Sequence, residues 1–341
     1  MTRSQCAPPP PIRKSAGPAE TPQPMKIASA ADSVKKYLHG SRSFHGCTRG
    51  FCYAAGVLDL PSPFQTEAGA IYHGPDNDIG KSSAMNHENE YHDNLITMLE
   101  LIWGEGYMAP GGPGNVARML DGIETNGKRI LDIGCGIGGP AFEMARTCGA
   151  DVVGIDLEAP LIQRASDAAR RKGLADRCTF QTVELGPLAF PDESFDIVVT
   201  SGAITQTKDK AAVFSECFRI LRPGGHLRCY DWMKSAAPLS DDMLYWFKIE
   251  GLTYALETLD DYRTHFENCG FAEVTAEDAS PWYREQVNRE YELIKGDLYP
   301  RMVELLGKQD ADHFVENWRA MVAVCDKGEM RQGYCRGRRP V

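Results

Sequence analysis

Residues 129–140, which read RILDIGCGIGGP, constrain the fold of this chain more than any other stretch. An apolar run precedes a cluster of glycines, and residues of helix-forming composition follow. This order predicts a strand, a tight turn and a helix. Gly134 and Gly136 permit positive φ angles and lack Cβ atoms, so a ligand can lie directly on the backbone at the carboxyl end of a first strand. The stretch therefore predicts a nucleoside-binding loop in an open α/β sheet.

A second apolar segment ends in an acidic residue. Residues 151–156 read DVVGID, which predicts a buried strand. Asp156 lies about 20 residues after the glycines, the spacing at which a carboxylate binds ribose hydroxyls. The alternative for Asp156 is to cap the following helix, and the spacing favours the ribose.

Two cofactors, NAD and S-adenosylmethionine, suit such a loop, and the rest of the chain favours the second. NAD requires a helix N-terminus for its pyrophosphate, whereas S-adenosylmethionine has no phosphate. Asp132 lies two residues before the first glycine, residues 190–199 predict a turn and a buried strand, and residues 221–230 predict a helix end followed by another strand. Together these segments resemble the class I methyltransferase domain. The resemblance implies an α/β, Rossmann-like fold with a mostly parallel seven-stranded sheet, an N-terminal helical lid and C-terminal helical additions.

Composition limits the classes of partner. The net charge of −10 argues against a nucleic-acid partner, which favours a basic protein face. No run of 18 apolar residues occurs, so no membrane span is predicted. The 11 scattered cysteines indicate an intracellular protein, cytoplasmic by default, without a disulfide framework or a metal site. A small-molecule substrate is expected, and the oligomeric state, including a homodimer, stays open.

The chain is expected to have three regions. Residues 1–30, rich in Pro, Ser and Ala, predict a disordered leader, with a plain tail and an organelle transit peptide as open alternatives. Residues 31–125 predict a helical lid region, with an amphipathic helix over residues 88–103. Residues 126–341 predict the S-adenosylmethionine-binding domain, with substrate-capping helices at about 236–330.

Hydrophobic patterning also predicts the strands of the sheet. Five strand-like segments alternate with helices between residues 126 and 231, near positions 129, 152, 179, 197 and 226. Residues 271–276 predict an edge strand. Residues 333–335 are expected to close the sheet.

Further motifs extend the resemblance. The segments WGEGYMAPGG, RILDIGCGIGG, DVVGIDL, FPDESFDIVV, RPGG, NCGFAEVTAED and EMRQGY resemble the phosphoethanolamine N-methyltransferase family in order and spacing, over about residues 88–336. GCGIGGPAFEMAR also resembles sterol C-methyltransferases. The resemblance implies that Asp156 binds the ribose of the donor and that Tyr91 covers the substrate. The remaining donor contacts are expected at Tyr107, Asp132, Gly134, Cys135, Gly136, Gly138, Leu157, Glu184, Leu185 and Thr200, and the acceptor contacts at Glu90, Tyr91, Trp232 and Tyr254.

Four positions depart from that family. Where the family keeps an Asp and a His for the amine, this chain has Gly202 and Gln206. The family's phosphate-binding Arg and Lys fall near Glu250 and Met321. A phosphate held by these two residues would be buried without cations, which is unfavourable.

These departures bear on the acceptor. Methyl transfer from a sulfonium is an in-line displacement, for which the protein supplies proximity and a dry pocket. An ammonium acceptor must first lose a proton to a base, whereas a thioether need not. We therefore expect S-methylation of a thioether carboxylate of the 4-methylthio-2-hydroxybutyrate type, as in dimethylsulfoniopropionate synthesis, with Tyr91 and Gln206 as the catalytic residues.

Two alternatives stay open. The first is N-methylation of phosphoethanolamine or a related small amine, with a base supplied by Glu90, His87 or His92. The second is a catalytically silent protein that binds S-adenosylmethionine, against which the intact glycines and Asp156 argue.

Overall fold

The computed structural model describes residues 93–252 and 254–341. The expectations for the leader at 1–30, for most of the region 31–125, and for Glu90 and Tyr91 lie outside the described residues.

A seven-stranded sheet lies at the centre of the described chain. Its strands are β1 Arg129–Ile133, β2 Asp151–Asp156, β3 Cys178–Thr182, β4 Phe195–Ser201, β5 Leu221–Lys234, β6 Ala272–Asp278 and β7 Met330–Arg338. They lie in the order β3-β2-β1-β4-β5-β7-β6. The first five pair in parallel, and β7 runs antiparallel to both of its neighbours. This is the fold class predicted from the sequence.

The last two strands refine that prediction. β6 is an edge strand, as predicted for residues 271–276. β7 does not close the sheet at its edge, because residues 333–335 pair with β5 on one side and with β6 on the other. Gly333 fits this interior position, since a Cβ there would lie 2.7 Å from Leu259 Cδ1.

Ten α-helices are described around the sheet. They are α1 Asp93–Trp103, α2 Gly112–Met119, α3 Gly139–Thr147, α4 Ala159–Lys172, α5 Lys210–Ile220, α6 Asp241–Glu250, α7 Leu259–Asn268, α8 Ser280–Lys295, α9 Tyr299–Leu306 and α10 Lys308–Asp326. Side chains begin several of them: Ser240 accepts a hydrogen bond from Met243 N before α6, and Thr258 and Asp261 form a capping box at α7. No helix in these parts of the chain is long and apolar enough to cross a membrane.

Helices cover both faces of the sheet because neighbouring strand residues point in opposite directions. Leu131 is buried with Phe214 of α5 and Tyr262 of α7 on one face. Ile130 is buried with Met144 of α3 on the other. Full burial of an apolar side chain of this size stabilises the fold by roughly 1.5–3 kcal/mol.

The remaining helices form a separate packed layer. α6, α8, α9 and α10 share a hydrophobic cluster with α1, and Trp232 near the end of β5 packs against it. The carboxyl end of the sheet therefore meets this helical layer, on the side where the connections after the parallel strands lie.

Candidate functional site

A cavity of about 290 Å³ lies at the carboxyl ends of β1, β2 and β4, and we call it the main cavity. Ligands of open α/β sheets bind at this edge. Ten of the site residues expected from the sequence lie on its wall, namely nine donor contacts and the expected catalytic Gln206: Tyr107, Asp132, Gly134, Cys135, Gly136, Asp156, Leu157, Glu184, Leu185 and Gln206.

The glycine loop after β1 owes its shape to two residues with left-handed backbone angles. Gly134 has a φ of 72° and Gly136 has a φ of 52°. A Cβ on Gly134 would lie 2.2 Å from the Cβ of Ala203, so a side chain there is excluded. Gly134 N also donates a hydrogen bond of 2.8 Å to Ile155 O in β2. The loop is thereby held between the carboxyl ends of three strands.

The next two glycines serve packing. Gly138, expected to contact the donor, is not among the described residues that line the main cavity. A Cβ on Gly138 would lie 2.8 Å from Phe142, so the residue admits that ring at the start of α3. A Cβ on Gly139 would lie 2.2 Å from Gly106 O, and Gly139 N donates a 3.0 Å hydrogen bond to the same oxygen. Gly139 therefore lets the loop after α1 approach the glycine loop.

The loop after α1 forms another part of the wall. Gly106, Tyr107 and Met108 all line the main cavity. Gly106 N donates a 2.8 Å hydrogen bond to the side chain of Glu100 in α1. The loop after α1, the helix predicted as a lid, thus lies against the glycine loop, where it can cover a bound ligand.

Asp156 has two backbone partners. One carboxylate oxygen accepts a 2.9 Å hydrogen bond from Gly136 N, and the other accepts a 3.1 Å hydrogen bond from Glu158 N. Asp156 is not the N-cap of α4, which is Glu158 and has no side-chain cap hydrogen bond, but its carboxylate ties the glycine loop to that residue. Burial raises the pKa of Asp156, and these hydrogen bonds oppose the increase.

One carboxylate oxygen of Asp132 is buried without a hydrogen-bond partner. The residue is 1% exposed, and its Oδ2 atom has no hydrogen-bond partner in the described structure. Burial, with a contribution from the charge of Asp156, raises the pKa of Asp132 to about 7. A buried carboxylate of this kind favours a ligand that brings a positive charge or hydrogen-bond donors into the cavity.

The charged side chains described on the wall of the main cavity are all acidic. Its described lining contains five carboxylates and neither Lys nor Arg. The acidic residues are Asp132, Asp156, Glu158, Glu184 and Glu216. Such a wall attracts a cationic ligand and repels an anionic one.

Gly202 and Gln206 follow β4 and border the same cavity. Gly202 has a φ of 70°, and its N–H donates a 2.9 Å hydrogen bond to Tyr230 O. A Cβ on Gly202 would lie 3.5 Å from Trp232 Nε1, an ordinary contact distance. Gln206 ends a short 3-10 turn, Ile204–Gln206, that follows this glycine.

Three other expected contacts are not on the described wall. Thr200 is a buried residue within β4, and it is the next residue, Ser201, that lines the cavity. Trp232 stands behind Gly202 and packs edge-on to Tyr283 with 4.9 Å between ring centroids. Tyr254 stacks on Trp246, with 5.0 Å between centroids. Trp232 and Tyr254 therefore pack against the hydrophobic cluster of the helical layer, and Thr200 is buried within the sheet.

The positions that correspond to the phosphate-binding cations are also packed. Glu250 is buried, accepts hydrogen bonds from Asn317 Nδ2 and from Tyr254 OH, and has a pKa raised by burial. Met321 is buried, with its sulfur 3.3 Å from Tyr283 OH. The structure therefore agrees with the expectation that neither residue offers a charge to a phosphate.

Sequence patterns missed one buried cation beside the site. Lys210, the first residue of α5, is 1% exposed, and its Nζ donates to Thr207 O at 2.7 Å and to Ala255 O at 2.6 Å. It thereby fixes the turn that carries Gln206. Lysine at the start of a helix is ordinarily exposed, so nothing in the local sequence indicated this burial.

A comparison with protein-family models agrees with this fold. Residues 131–229 match a family described as a methyltransferase domain. Together with the strand order and the glycine loop after β1, this match shows that the chain has the fold of class I S-adenosylmethionine-dependent methyltransferases.

Similar proteins specify the resemblance further. The chain is 29% identical over 259 residues to phosphoethanolamine N-methyltransferase 3 of Arabidopsis thaliana, covering 76% of this chain and 52% of that protein. It is 30% identical over 248 residues to phosphoethanolamine N-methyltransferase 1 of Zea mays, covering 72% and 48%. The chain spans about half the length of these curated relatives.

A solved structure agrees with these relatives. Phosphoethanolamine N-methyltransferase 2 of Haemonchus contortus, in complex with phosphomonomethylethanolamine and S-adenosylhomocysteine, superposes with a TM-score of 0.68. The sequence identity is 26%, and the match covers 74% of this chain and 59% of that one. The chain thus resembles the phosphoethanolamine N-methyltransferases, as its motifs predicted.

Proposed function

We propose that this protein transfers a methyl group from S-adenosylmethionine to a small-molecule acceptor. The observation that carries the proposal is the main cavity, where the glycine loop meets the buried carboxylate of Asp132, whose Oδ2 atom has no hydrogen-bond partner. The donor carries a sulfonium and an ammonium group against a single carboxylate, and its net positive charge suits an acidic wall. The methyltransferase relatives support the same activity.

The reaction is an in-line displacement. A lone pair of the acceptor attacks the methyl carbon while the bond from that carbon to the donor sulfur breaks, and S-adenosylhomocysteine leaves as a neutral thioether. The protein contributes alignment and exclusion of water. Tyr107 and Met108, in the loop held to Gly139, lie where they can close over the donor.

Two acceptors are compatible with this cavity. The relatives favour an amine such as phosphoethanolamine, and they do not support the thioether expectation. A thioether carboxylate such as 4-methylthio-2-hydroxybutyrate is favoured by the residues themselves, since Gly202 and Gln206 replace the family's amine-binding Asp and His. Glu250 and Met321, which stand where the family has its phosphate-binding cations, are packed against Asn317 and Tyr283 and offer no positive charge.

Donor binding tests the proposed activity. Asp156→Ala removes the acceptor of the Gly136 and Glu158 N–H groups and the expected ribose contact. We expect S-adenosylmethionine affinity, measured by calorimetry, to fall by roughly 1–3 kcal/mol. The matched control is Asp176→Ala, at an exposed residue after α4. Wild-type protein that does not bind the donor would refute the proposal.

The acceptor is identified by a panel with labelled methyl donor. Phosphoethanolamine, other amines and thioether carboxylates are compared in single-turnover reactions as a function of pH. An amine predicts a rate that rises with pH until the ammonium group is deprotonated, whereas a thioether predicts a flat profile. Donor binding without transfer to any member of the panel would leave the silent binding protein as the explanation.

A further inference from the structure

A second cavity adjoins the main one, and we call it the side cavity. Its volume is about 440 Å³, within the range of small-molecule pockets. Gly112 and Asn115, at the start of α2, lie on the walls of both cavities. Asn115 Nδ2 also donates a 3.0 Å hydrogen bond to Ser201 Oγ, which lines the main cavity. The two spaces are therefore neighbours that share part of their walls.

The side cavity has aromatic walls and a cation. Trp103 and Trp282 line it together with Tyr334 and Arg118. Gly112, Pro113 and Gly114, the first residues of α2, also line it, so the positive end of that helix dipole lies at this cavity. The main cavity, by contrast, has carboxylates and no Lys or Arg among its described lining.

The positive charge of Arg118 is only partly compensated by its ion-pair partner, Glu277. Its guanidinium donates to one oxygen of Glu277, while Arg336 Nη1 donates to the other at 2.6 Å. One carboxylate thus serves two guanidinium groups, which also lie over the ring of Tyr334 at 4.5 and 5.0 Å. The Arg118 side chain is 36% exposed and has five N–H donors, so it can accept an additional anion.

Both candidate acceptors end in an anion, a phosphate or a carboxylate. We infer that this anionic end binds Arg118 in the side cavity, with the tryptophans against the acceptor's carbon chain and its reactive end in the main cavity. The inference rests on the proposed function and names the cation that recognises the acidic group. It gives this chain an anion site different from the two family positions occupied by Glu250 and Met321.

The test compares two arginines that share Glu277. Arg118→Met should raise the KM of phosphoethanolamine or 4-methylthio-2-hydroxybutyrate, whichever the protein methylates, by at least tenfold. The Kd of S-adenosylmethionine should stay within twofold. Arg336→Met is the matched control, because it removes the same charge from the same carboxylate but does not line the side cavity. It should leave the acceptor KM unchanged.

Two further arms keep the result interpretable. Arg118→Lys retains a charge for Glu277 but loses the planar fork, and should give a smaller rise in KM if Arg118→Met does not fold. Acceptors without the acidic group, ethanolamine or the methyl ester of the thioether acid, should be equally poor substrates for wild type and Arg118→Met. An unchanged acceptor KM in the Arg118 variants, or an equal loss with the neutral analogues, would overturn the inference. Wild type that binds no donor would refute the proposed function instead.

Discussion

Asp132 illustrates how individual residues define this site. Its Oδ2 atom is buried without a partner, and the desolvation of a charge is costly unless a cation or hydrogen-bond donors compensate. Asp156 differs, because two backbone N–H groups satisfy its carboxylate before any ligand arrives. Asp156 therefore holds the glycine loop as well as lining the cavity, whereas Asp132 Oδ2 has no partner until a ligand binds.

Donor affinity should depend on pH through Asp132. Its pKa of about 7 in the empty cavity means that the acid is largely protonated at pH 5. A cationic donor favours the carboxylate, so binding should release a proton and affinity should rise from pH 5 to about 7 and then level off. The rise is at most about tenfold per pH unit for one proton. Calorimetry in buffers of different ionisation enthalpy measures this release.

The matched variant for this prediction is Asp132→Asn. It keeps the size of the side chain and removes the titration, so its donor affinity should be weaker and nearly independent of pH. Wild-type affinity that is constant between pH 5 and pH 8 would contradict the assignment of Asp132 to the donor's charge.

At the scale of elements, one buried carboxylate joins three helices. Glu290 of α8 is 2% exposed. It accepts hydrogen bonds from Trp103 Nε1 of α1 at 2.8 Å and from Trp318 Nε1 of α10 at 3.2 Å. Gln286 Nε2 adds a third donor at 3.0 Å. Trp103 is the last residue of α1, so Glu290 positions the loop that lines the main cavity.

Glu290→Gln should weaken this junction. The amide has one oxygen and one NH₂ group, so it must turn a donor toward at least one of the N–H groups that the carboxylate now accepts. We expect a loss of roughly 1–3 kcal/mol in the free energy of unfolding, together with weaker donor binding. Denaturant titration and calorimetry measure the two effects.

Trp318→Phe is the comparison for that variant. It removes one hydrogen-bond donor and leaves the carboxylate with Trp103 and Gln286. The affinity for S-adenosylmethionine should therefore change less than in Glu290→Gln. If Glu290→Gln lowered stability but left donor affinity intact, Glu290 would support the helical layer without positioning the loop.

Across the whole molecule, buried acids give stability a particular pH dependence. Burial raises the pKa of Asp231 to about 7, although Tyr262 OH donates a 2.7 Å hydrogen bond to it. Asp132 is raised to a similar value. Lys210, whose own pKa is lowered by burial, favours the charged form of Asp231 only weakly. As pH rises from acidic values, the unfolded chain therefore loses the protons of Asp132 and Asp231 before the folded protein does.

Stability of the donor-free protein should fall as pH rises from about 4 to about 7. Between these values the folded state holds protons on Asp132 and Asp231 that the unfolded state lacks, so the slope is negative, at most about 1.4 kcal/mol per pH unit for each group. The lowered pKa of His226 acts in the opposite direction near neutral pH. Urea titrations at pH 5 and pH 7.5 measure the difference.

Asp231→Asn tests the origin of this slope. Asparagine can still accept the hydrogen bond from Tyr262 but does not titrate, so the dependence on pH should become shallower. A donor-free wild type that is more stable at pH 7.5 than at pH 5 would show that exposed acids with lowered pKa values dominate instead.

Much of the fold and of the nucleoside loop follows from local sequence. The strands around residues 129, 152, 179, 197 and 226, the edge strand near 271–276 and the glycine turn are encoded by short apolar runs and by glycines at positions of positive φ. These signals act over a few residues, so they can be recognised without knowing which distant residues pack against them.

Other features depend on contacts between distant segments, and only the tertiary structure decided them. Gly138 admits Phe142, Thr200 is buried within β4, and β7 inserts between β5 and β6. The pairing of Arg118 with Glu277 brings together residues 159 positions apart. Hydrophobic periodicity records that a residue is buried but not its partner, and the partner determines whether a glycine, a threonine or an arginine supports the fold or faces a ligand.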